Sequence, residues 1–214
     1  MTETLPRRNS QPAKGVRLSK GARRAVLLAA AQDVFAANGY HATAMDEIAE
    51  RAGVSKPVLY QHFPGKLELY LALVQSHVDD LVRLVRAAIE STNDNKRRVH
   101  GAMGAYFDFV EREGQAFRLV FESDLRTEPA VQEAIERANS ACATPIAAVI
   151  MHDTGLDEHQ AKLLAVGWVG LSQMAARWWL NASPRIPKED AVELLSTFAW
   201  KGFASFPLAH HDEG

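Results

Sequence analysis

The stretch of residues 66–91 most limits the fold that this chain can adopt. Apolar side chains recur there every three or four residues, at Leu67, Tyr70, Leu71, Val74, Val78, Leu81, Val85 and Ile89. This spacing matches one face of an α-helix with 3.6 residues per turn. The sequence therefore predicts a long amphipathic helix whose apolar face must be covered by other elements.

Helical periodicity continues through most of the chain, and no segment shows convincing strand alternation. Residues with N-cap side chains precede five of the predicted helices: Ser19, Thr43, Ser55, Thr127 and Asp157. The first helix is predicted to end at Asn38-Gly39. After residue 91, helices are predicted at about 95–112, 115–124, 128–151, 158–181 and 187–206. About nine helices with short connections predict an all-α protein.

The distribution of charge divides the chain into two parts. Its 214 residues have a formal net charge of -2, which alone gives no indication of a nucleic-acid partner. Residues 1–66, however, carry ten Lys and Arg against five Asp and Glu, whereas residues 67–214 carry 14 against 21. Residues 1–18 lack apolar periodicity and are predicted to form a flexible basic arm. The asymmetry indicates either an end that faces nucleic acid or a basic tail without a partner.

Residues 45–63, MDEIAERAGVSKPVLYQHF, have the pattern of a helix-turn-helix. Ala49 provides a small residue where two short helices cross, and Gly53 provides the turn. Apolar residues that would hold the pair in a domain are Ile48, Val54, Leu59 and Phe63. Short helical hairpins occur in many folds, so the spacing alone leaves a structural role open, but the positive charge of this end favours DNA binding.

The second helix of this pair would present its first turn to base edges in the major groove. Ser55 and Lys56 begin that turn, and the apolar groups beside them could meet thymine methyl groups. Polar residues further along the helix, and at the flanking helix starts, suit phosphate oxygens. The predicted DNA contacts are Thr43, Ser55, Lys56, Pro57, Val58, Tyr60, Gln61, His62 and Lys66.

The segment from Arg23 to Leu69 resembles the DNA-binding domain of TetR-type transcriptional regulators. It carries F-x3-G-Y-x2-T, I-A-x2-A-G-V-S, L-Y-x-H-F and a following K-x-x-L, a combination that is specific to that family. After the basic arm at 1–18, the resemblance implies a helix-turn-helix DNA-binding domain at 19–66. It also implies a larger helical domain at 67–214 for ligand binding and dimerisation.

A closer resemblance, to the FasR-type regulators of fatty-acid synthesis, extends beyond this domain. It covers YHATAMDEIAERAGVSKPVLYQHFPGKLELYLAL, DNKRRVHGAMGAYFDFVEREGQAFRLVFESDLRTEPAV and DTGLDEHQAKLLAVGWVG. The resemblance implies control of fatty-acid biosynthesis genes, with DNA affinity regulated by long-chain acyl-CoA in the C-terminal domain. A TetR-type repressor of an efflux or catabolic operon, responding to another hydrophobic small molecule, is the open alternative. TetR-type proteins usually repress, whereas the FasR-type resemblance implies activation.

Apolar side chains of the C-terminal domain are candidates for the effector site. Burial in an ordinary core is the alternative for each, because aromatic side chains fill helical cores. Since a long acyl chain needs an extended apolar path, the resemblance implies contacts at Ile89, Val99, Met103, Phe107, Val110, Phe117, Phe121 and Leu171. The cationic run Lys96, Arg97 and Arg98 at a predicted helix start is either a solvated loop or a contact for CoA phosphates.

The two C-terminal helices carry a pattern that indicates a second subunit. Small residues that let a partner helix approach lie at Ala161, Ala165, Gly167, Gly170, Ala175 and Ala176. The last helix has an apolar face made of Leu194, Leu195, Phe198 and Phe203. TetR-type proteins dimerise through such a pair, so the resemblance implies a homodimer on a palindromic operator.

The sequence gives little support to an enzyme. It has no G-x-S-x-G motif, phosphate-binding glycine loop or dinucleotide fingerprint, and its histidines lack persuasive metal-ligand spacing. No catalytic residue, metal or cofactor is therefore predicted, and the lone cysteine, Cys142, is expected to be a small buried residue. Without a long apolar run or a signal sequence, a cytoplasmic protein without a membrane partner is expected. A helical protein-interaction module is the second rival class, which would lack salt-sensitive DNA binding.

Overall fold

The computed structural model describes residues 19–114, 118, 125 and 128–203. Its helices are α1 Lys20–Ala42, α2 Met45–Arg51, α3 Lys56–His62, α4 Lys66–Glu90, α5 Asn95–Arg112, α6 Pro129–Thr154, α7 Glu158–Asn181 and α8 Lys188–Phe203. These residues contain no strand, so the all-α prediction is confirmed. The predicted helix at 115–124 lies outside the described residues, with the exception of Arg118. The predicted arm at 1–18 and residues 204–206 of the predicted last helix also lie outside them. No helix in the described part of the chain is long and apolar enough to cross a bilayer.

Local signals explain where several helices begin and end. The side chain of Ser19 accepts a hydrogen bond from the amide of Ala22 at 3.1 Å at the start of α1. Asp157 forms a capping box with Gln160 at the start of α7. Gly39 has a φ of 75° inside the bounds of α1, so helical geometry breaks at the predicted stop.

Two predicted caps are displaced by one residue. Ala44, and not Thr43, precedes α2, because the Thr43 hydroxyl donates to a backbone carbonyl of α1 at 2.7 Å. Glu128, and not Thr127, precedes α6. Pro129 is the first residue of this helix, a position where a proline without an N–H costs no helical hydrogen bond.

α4 joins the N-terminal helices to the C-terminal ones. It packs on α1 near its beginning and on α5 and α6 along its length, while α6 packs on α7 and α5 packs on α8. Six of its eight predicted apolar residues are buried: Tyr70, Val74, Val78, Leu81, Val85 and Ile89. Leu67 and Leu71 are only partly buried, whereas Leu69 and Leu73, outside the predicted set, are buried. Full burial of side chains of this size stabilises a fold by about 1.5–3 kcal/mol each. α4 therefore contacts helices that lie before it and after it in the chain.

Candidate nucleic-acid interface

α2 and α3 form the helix-turn-helix that the sequence predicts. Gly53 has a φ of 66° in the turn, which is the left-handed conformation expected of that glycine. The amide of Val54 donates to the carbonyl of Ala49 at 3.0 Å, which closes the turn against α2. Ala49, Ile48 and Leu59 are buried, so the pair is fixed in the domain by the small and apolar contacts that the spacing predicts.

α3 presents most of the predicted DNA contacts at accessible positions. Its exposed residues are Ser55, Lys56, Pro57, Tyr60 and Gln61, and its partly buried ones are Val58 and His62. The Ser55 hydroxyl makes no capping bond with the helix that it precedes. Tyr60 is 40% exposed, which leaves its phenol at the surface. The structure thus brings these predicted residues together on one short helix.

Lys56 is held at the start of α3 by an ion pair. Its Nζ lies 2.8 Å from Oδ1 of Asp46 in α2, and both side chains are more than half exposed. The hydrogen bond and the negative charge of Asp46 raise the pKa of the Lys56 ammonium, which keeps it protonated. Because exposed ion pairs contribute little to stability, a DNA acceptor can replace Asp46 at small cost.

Lys66, a predicted phosphate contact, donates hydrogen bonds within the chain. Its Nζ donates to the backbone carbonyls of Tyr40, His41 and Thr43 at 2.8, 3.3 and 2.9 Å. It also lies 4.5 Å from the centre of the Tyr40 ring. Since an ammonium has three protons, all its donors are engaged. Lys66 therefore closes the C-terminal end of α1, where carbonyls lack helical partners.

Thr43 is engaged in the same place. Its side chain is buried, and its hydroxyl donates to the carbonyl of Gly39 at 2.7 Å. Its own carbonyl accepts the hydrogen bond from Lys66. Thr43 and Lys66 thus form one structural unit that fixes the end of α1 beside the start of α4.

Arg24 is a basic residue that sequence reasoning left out of the predicted contacts. Its guanidinium carbon lies 4.5 Å from the centre of the Phe63 ring, at the C-terminal end of α3. Arg24 is exposed, and this cation–π contact holds its charge beside α3. Lys20 and Arg23 lie nearby in the first turn of α1, which contains no acidic residue. A basic first turn without an acidic residue is the sequence signal that could have indicated Arg24.

The predicted effector contacts belong to the C-terminal domain. Six of them lie in or against one apolar core: Ile89, Val99, Met103, Phe107, Val110 and Leu171. Met103, Phe107 and Val110 of α5 are completely buried. Phe117 and Phe121 lie outside the described residues. The described candidates therefore form a continuous apolar region that joins α4, α5 and α7.

Arg98 ties the start of α5 to the end of α6. Its guanidinium donates to the carboxylate of Asp153 at 3.1 Å and to the carbonyl of Thr92 at 2.8 Å. A further bond reaches the side-chain oxygen of Asn95 at 2.9 Å. The side chains of Arg98 and Asp153 are only 20% and 17% exposed, so this ion pair is shielded from most of the solvent.

The cationic run at 96–98 therefore has internal counter-charges. Asp94 caps α5 by accepting the amide of Arg97 at 2.9 Å. Burial by itself would raise the pKa of Asp153, but hydrogen bonds from His152 and Asn95 and the charge of Arg98 lower it, so the carboxylate stays ionised. The positive end of the helix dipole at the start of α5 disfavours nearby cations. The carboxylates of Asp94 and Asp153 offset the charge of these cations, so no external anion is required. In the run itself, Lys96 and Arg97 are the exposed members.

α7 and α8 expose large apolar side chains that the protomer leaves uncovered. They are Leu163, Val166, Met174, Trp178, Leu194 and Phe198, and Trp178 and Phe198 are each 68% exposed. Gly167 and Gly170 are also exposed and have open space beside them. By contrast, Ala161, Ala165 and Ala176 are buried within the protomer, so these three do not serve the predicted approach of a partner helix. The side chain of Phe203 lies outside the described residues.

Comparison with known sequences covers both domains. Residues 27–73 match the family described as bacterial regulatory proteins, tetR family, and residues 95–202 match the tetracyclin repressor-like C-terminal domain. The chain is 51% identical over 195 residues to the HTH-type transcriptional activator FasR of Mycolicibacterium smegmatis. That alignment spans 91% of this chain and 89% of FasR.

Solved structures show the same architecture. A TetR-like transcriptional regulator from Rhodococcus sp. RHA1 superposes with a TM-score of 0.69 at 25% identity, over 88% of this chain and 100% of that chain. The regulator FadR from Bacillus subtilis, solved in complex with stearoyl-CoA, shares the fold with a TM-score of 0.70 at 17% identity, over 83% of this chain and 98% of that chain. The helix-turn-helix, the helical C-terminal domain and these similarities agree, and the chain belongs to the TetR family of bacterial transcriptional regulators.

Proposed function

We propose that this regulator binds the operators of fatty-acid biosynthesis genes as a homodimer, with an affinity controlled by long-chain acyl-CoA bound in its C-terminal domain. The observation that carries the proposal is the 51% identity to FasR over 91% of the chain, an extent that includes both domains. The complex of FadR with stearoyl-CoA supports it further, because it shows that this fold can accommodate a long acyl-CoA. Acyl-CoA is here a regulatory ligand and not a cofactor.

In this proposal α3 is the recognition helix in the major groove. Ser55, Lys56, Pro57 and Val58 begin it and would meet base edges, with the lysine as the charged donor. Tyr60, Gln61 and His62 follow along the same helix and would contact phosphates. The exposure of these residues of α3 supports this arrangement. Thr43 and Lys66 are not part of it, because the Thr43 hydroxyl is buried and the Lys66 ammonium donates to backbone carbonyls.

Paired substitutions on α3 test this arrangement. Tyr60→Phe should weaken binding to all duplexes alike, because it removes a phosphate contact. Lys56→Ala should weaken operator binding, relax base preference and reduce the salt dependence of the affinity by about one charge. Fluorescence anisotropy with operator and scrambled duplexes over a range of salt concentrations measures all three quantities.

The matched control is Lys162→Ala, an exposed lysine of α7 that should leave these quantities unchanged. If Lys56→Ala changed neither affinity nor base preference, the placement of α3 in the major groove would be wrong. If the wild-type protein bound no duplex at low salt, the DNA-binding part of the proposal would fail.

The effector would act on DNA through α4. This helix has 25 residues, which corresponds to a length of about 37 Å. It begins at Lys66 beside the end of α1 and carries Ile89 of the apolar core near its other end. A ligand changes operator affinity only if it binds one spacing of the two DNA-binding domains more tightly than another. The continuity of α4 between the domains supports it as the element that transmits this preference.

The dimer would form through α7 and α8. Their exposed apolar side chains, above all Trp178 and Phe198, form the kind of uncovered patch that marks an interface. Two such pairs would associate about a two-fold axis and place the two copies of α3 about one helical turn of DNA apart. A palindromic operator follows from that symmetry.

A further inference from the structure

Tyr106 of α5 buries a hydroxyl that has no hydrogen-bond partner in the described part of the chain. The residue is 1% exposed, and its neighbours on the same helix, Met103, Phe107 and Val110, are completely buried. Residues three or four apart share one helix face, so Tyr106 belongs to the apolar region that contains the predicted effector contacts. An unpaired buried hydroxyl is costly, and folded proteins keep few of them without a functional reason.

A second unpaired donor lies in the same core. Trp168 of α7 is 5% exposed, and its indole Nε1 also lacks a hydrogen-bond partner in the described residues. α5 and α7 pack against each other, so Tyr106 and Trp168 come from two contacting helices. Two donors without acceptors in the described part of one apolar core suit an acceptor supplied by a ligand.

The polar groups at this place are uncharged, which limits the chemistry of that acceptor. Burial raises the pKa of the Tyr106 hydroxyl, which therefore keeps its proton and acts as a donor. The thiol of Cys142 in α6 interacts electrostatically with Tyr106, and burial raises its pKa to about 12. A carboxylate placed among these groups would be desolvated without a cation, whereas a neutral carbonyl requires only the hydrogen bond.

We propose that Tyr106 is an effector-binding residue whose hydroxyl donates a hydrogen bond to the thioester carbonyl of a long-chain acyl-CoA, within the core shared by α5, α6 and α7. This inference rests on the proposed function and adds to it the group that distinguishes an acyl thioester from an alkyl chain. The apolar side chains around Tyr106 contact either chain equally, because they offer no hydrogen bond. The hydroxyl is the group that detects the carbonyl.

The test compares two ligands that differ only in that carbonyl: stearoyl-CoA and its thioether analogue S-octadecyl-CoA. Isothermal titration calorimetry on the full chain gives the Kd of each for the wild type and for Tyr106→Phe. The wild type should bind the thioester about fivefold more tightly, which is the net worth of one neutral hydrogen bond. Tyr106→Phe should bind the two compounds equally, at the affinity that the wild type has for the thioether.

The matched control is Tyr40→Phe, the same chemical change at a partly buried tyrosine of α1, which should leave the wild-type preference intact. The Tm of ligand-free Tyr106→Phe should equal or exceed that of the wild type, because no hydrogen bond is lost. A thioester preference that persists in Tyr106→Phe overturns the inference, and so does a fall of several degrees in Tm. If the wild type binds both compounds equally, the inference fails while the proposed function stands. If it binds neither, the acyl-CoA assignment itself fails, and this inference falls with it.

Discussion

At the scale of single residues, Lys66 shows how one side chain can look functional in the sequence and be structural in the fold. Replacing it by methionine keeps most of the apolar stem but leaves the carbonyls of Tyr40, His41 and Thr43 without their donor. Hydrogen bonds to a charged group are worth about 1.5–3 kcal/mol, and partial exposure of Lys66 reduces that value. We expect Lys66→Met to lower the free energy of unfolding by roughly 1–2 kcal/mol, measured by urea denaturation.

Lys56→Met is the control, because Lys56 is exposed and paired only with an exposed carboxylate. It should change the free energy of unfolding by less than about 0.5 kcal/mol while weakening operator binding. If Lys66→Met kept full stability and lost DNA affinity as Lys56→Met does, Lys66 would be a phosphate contact after all.

His77 of α4 provides a pH-dependent prediction. Burial lowers the pKa of its imidazole, although the negative charges of Glu113 and Asp80 oppose this effect. The folded protein therefore holds His77 neutral at pH values where the unfolded chain, with a histidine pKa of about 6.5, takes up a proton. Because protonation favours the unfolded chain, the stability that His77 contributes should be present above about pH 6.5 and be lost as pH falls below it.

Denaturation at pH 7.5 and pH 5.5 measures this loss. His77→Leu should lose less stability than the wild type on acidification, whereas His159→Leu, at an exposed position of α7, should behave as the wild type does. Equal acid sensitivity of the wild type and His77→Leu would contradict the assigned effect of burial.

Residue-scale features were predictable where their cause is local. Ser19 caps α1 through an amide three residues away, and Gly53 occupies the turn that its spacing indicates. Lys66, by contrast, reaches carbonyls that lie 23 to 26 residues earlier in the chain. Only the packing of α4 against the end of α1 brings these atoms together, so the sequence pattern offered no sign of them.

At the scale of elements, the ion pair of Arg98 and Asp153 connects the start of α5 to the end of α6. A double-mutant cycle with Arg98→Met and Asp153→Asn measures its worth. Because both side chains are largely shielded, we expect a coupling free energy of about 1–2 kcal/mol, above that of a surface pair. Urea denaturation of the four proteins gives this value.

The comparison pair is Arg83 and Asp80, which lie three residues apart on α4 with both side chains more than half exposed. Its cycle, with Arg83→Met and Asp80→Asn, should yield no more than about 0.5 kcal/mol. Equal couplings for the two pairs would show that Arg98 does not act as a shielded tie between α5 and α6.

Helix bounds were more predictable than the contacts between helices. α5 and α7 lie at the predicted 95–112 and 158–181, because periodicity and capping residues are properties of a few consecutive residues. The partner of Arg98 lies 55 residues away, and Lys188 at the start of α8 pairs with Glu111, 77 residues earlier. Contacts at such separations follow from the packing of whole helices, which the sequence pattern does not specify.

At the scale of the whole molecule, the exposed apolar surface of α7 and α8 predicts that dimerisation can be removed without unfolding the protomer. Phe198→Glu places a charge where the protomer makes few contacts, since Phe198 is 68% exposed. We expect this variant to sediment as a folded monomer and to bind a palindromic operator much more weakly, because two recognition helices no longer act together.

Val26→Glu, at an apolar position of α1 that is also exposed, is the matched control and should remain dimeric. A Phe198→Glu protein that stays fully dimeric at micromolar concentration would place the subunit interface elsewhere. Analytical ultracentrifugation with circular dichroism separates loss of the dimer from loss of the fold.

The division of charge gives the molecule a basic end and an acidic body, with ten cations against five acids up to residue 66 and 14 against 21 beyond it. The described structure assigns the helix-turn-helix to the first part and α5 to α8 to the second, while the apolar core extends through both. This arrangement predicts which end faces DNA, and it was accessible from the sequence. The unpaired donors of the core, Tyr106 and Trp168, were not predictable from the sequence. Whether a donor has a hydrogen-bond partner depends on all the residues that pack around it.

The central claim is that long-chain acyl-CoA and operator DNA bind to coupled sites, and one titration tests it most directly. Stearoyl-CoA is titrated into the complex of the full chain with operator duplex at fixed salt, with free CoA as the control. We predict that stearoyl-CoA changes the operator Kd by about fivefold or more, that free CoA does not, and that operator changes the Kd of stearoyl-CoA by the same factor. An operator affinity that is indifferent to acyl-CoA of every chain length would contradict the account of this protein as an acyl-CoA-responsive regulator.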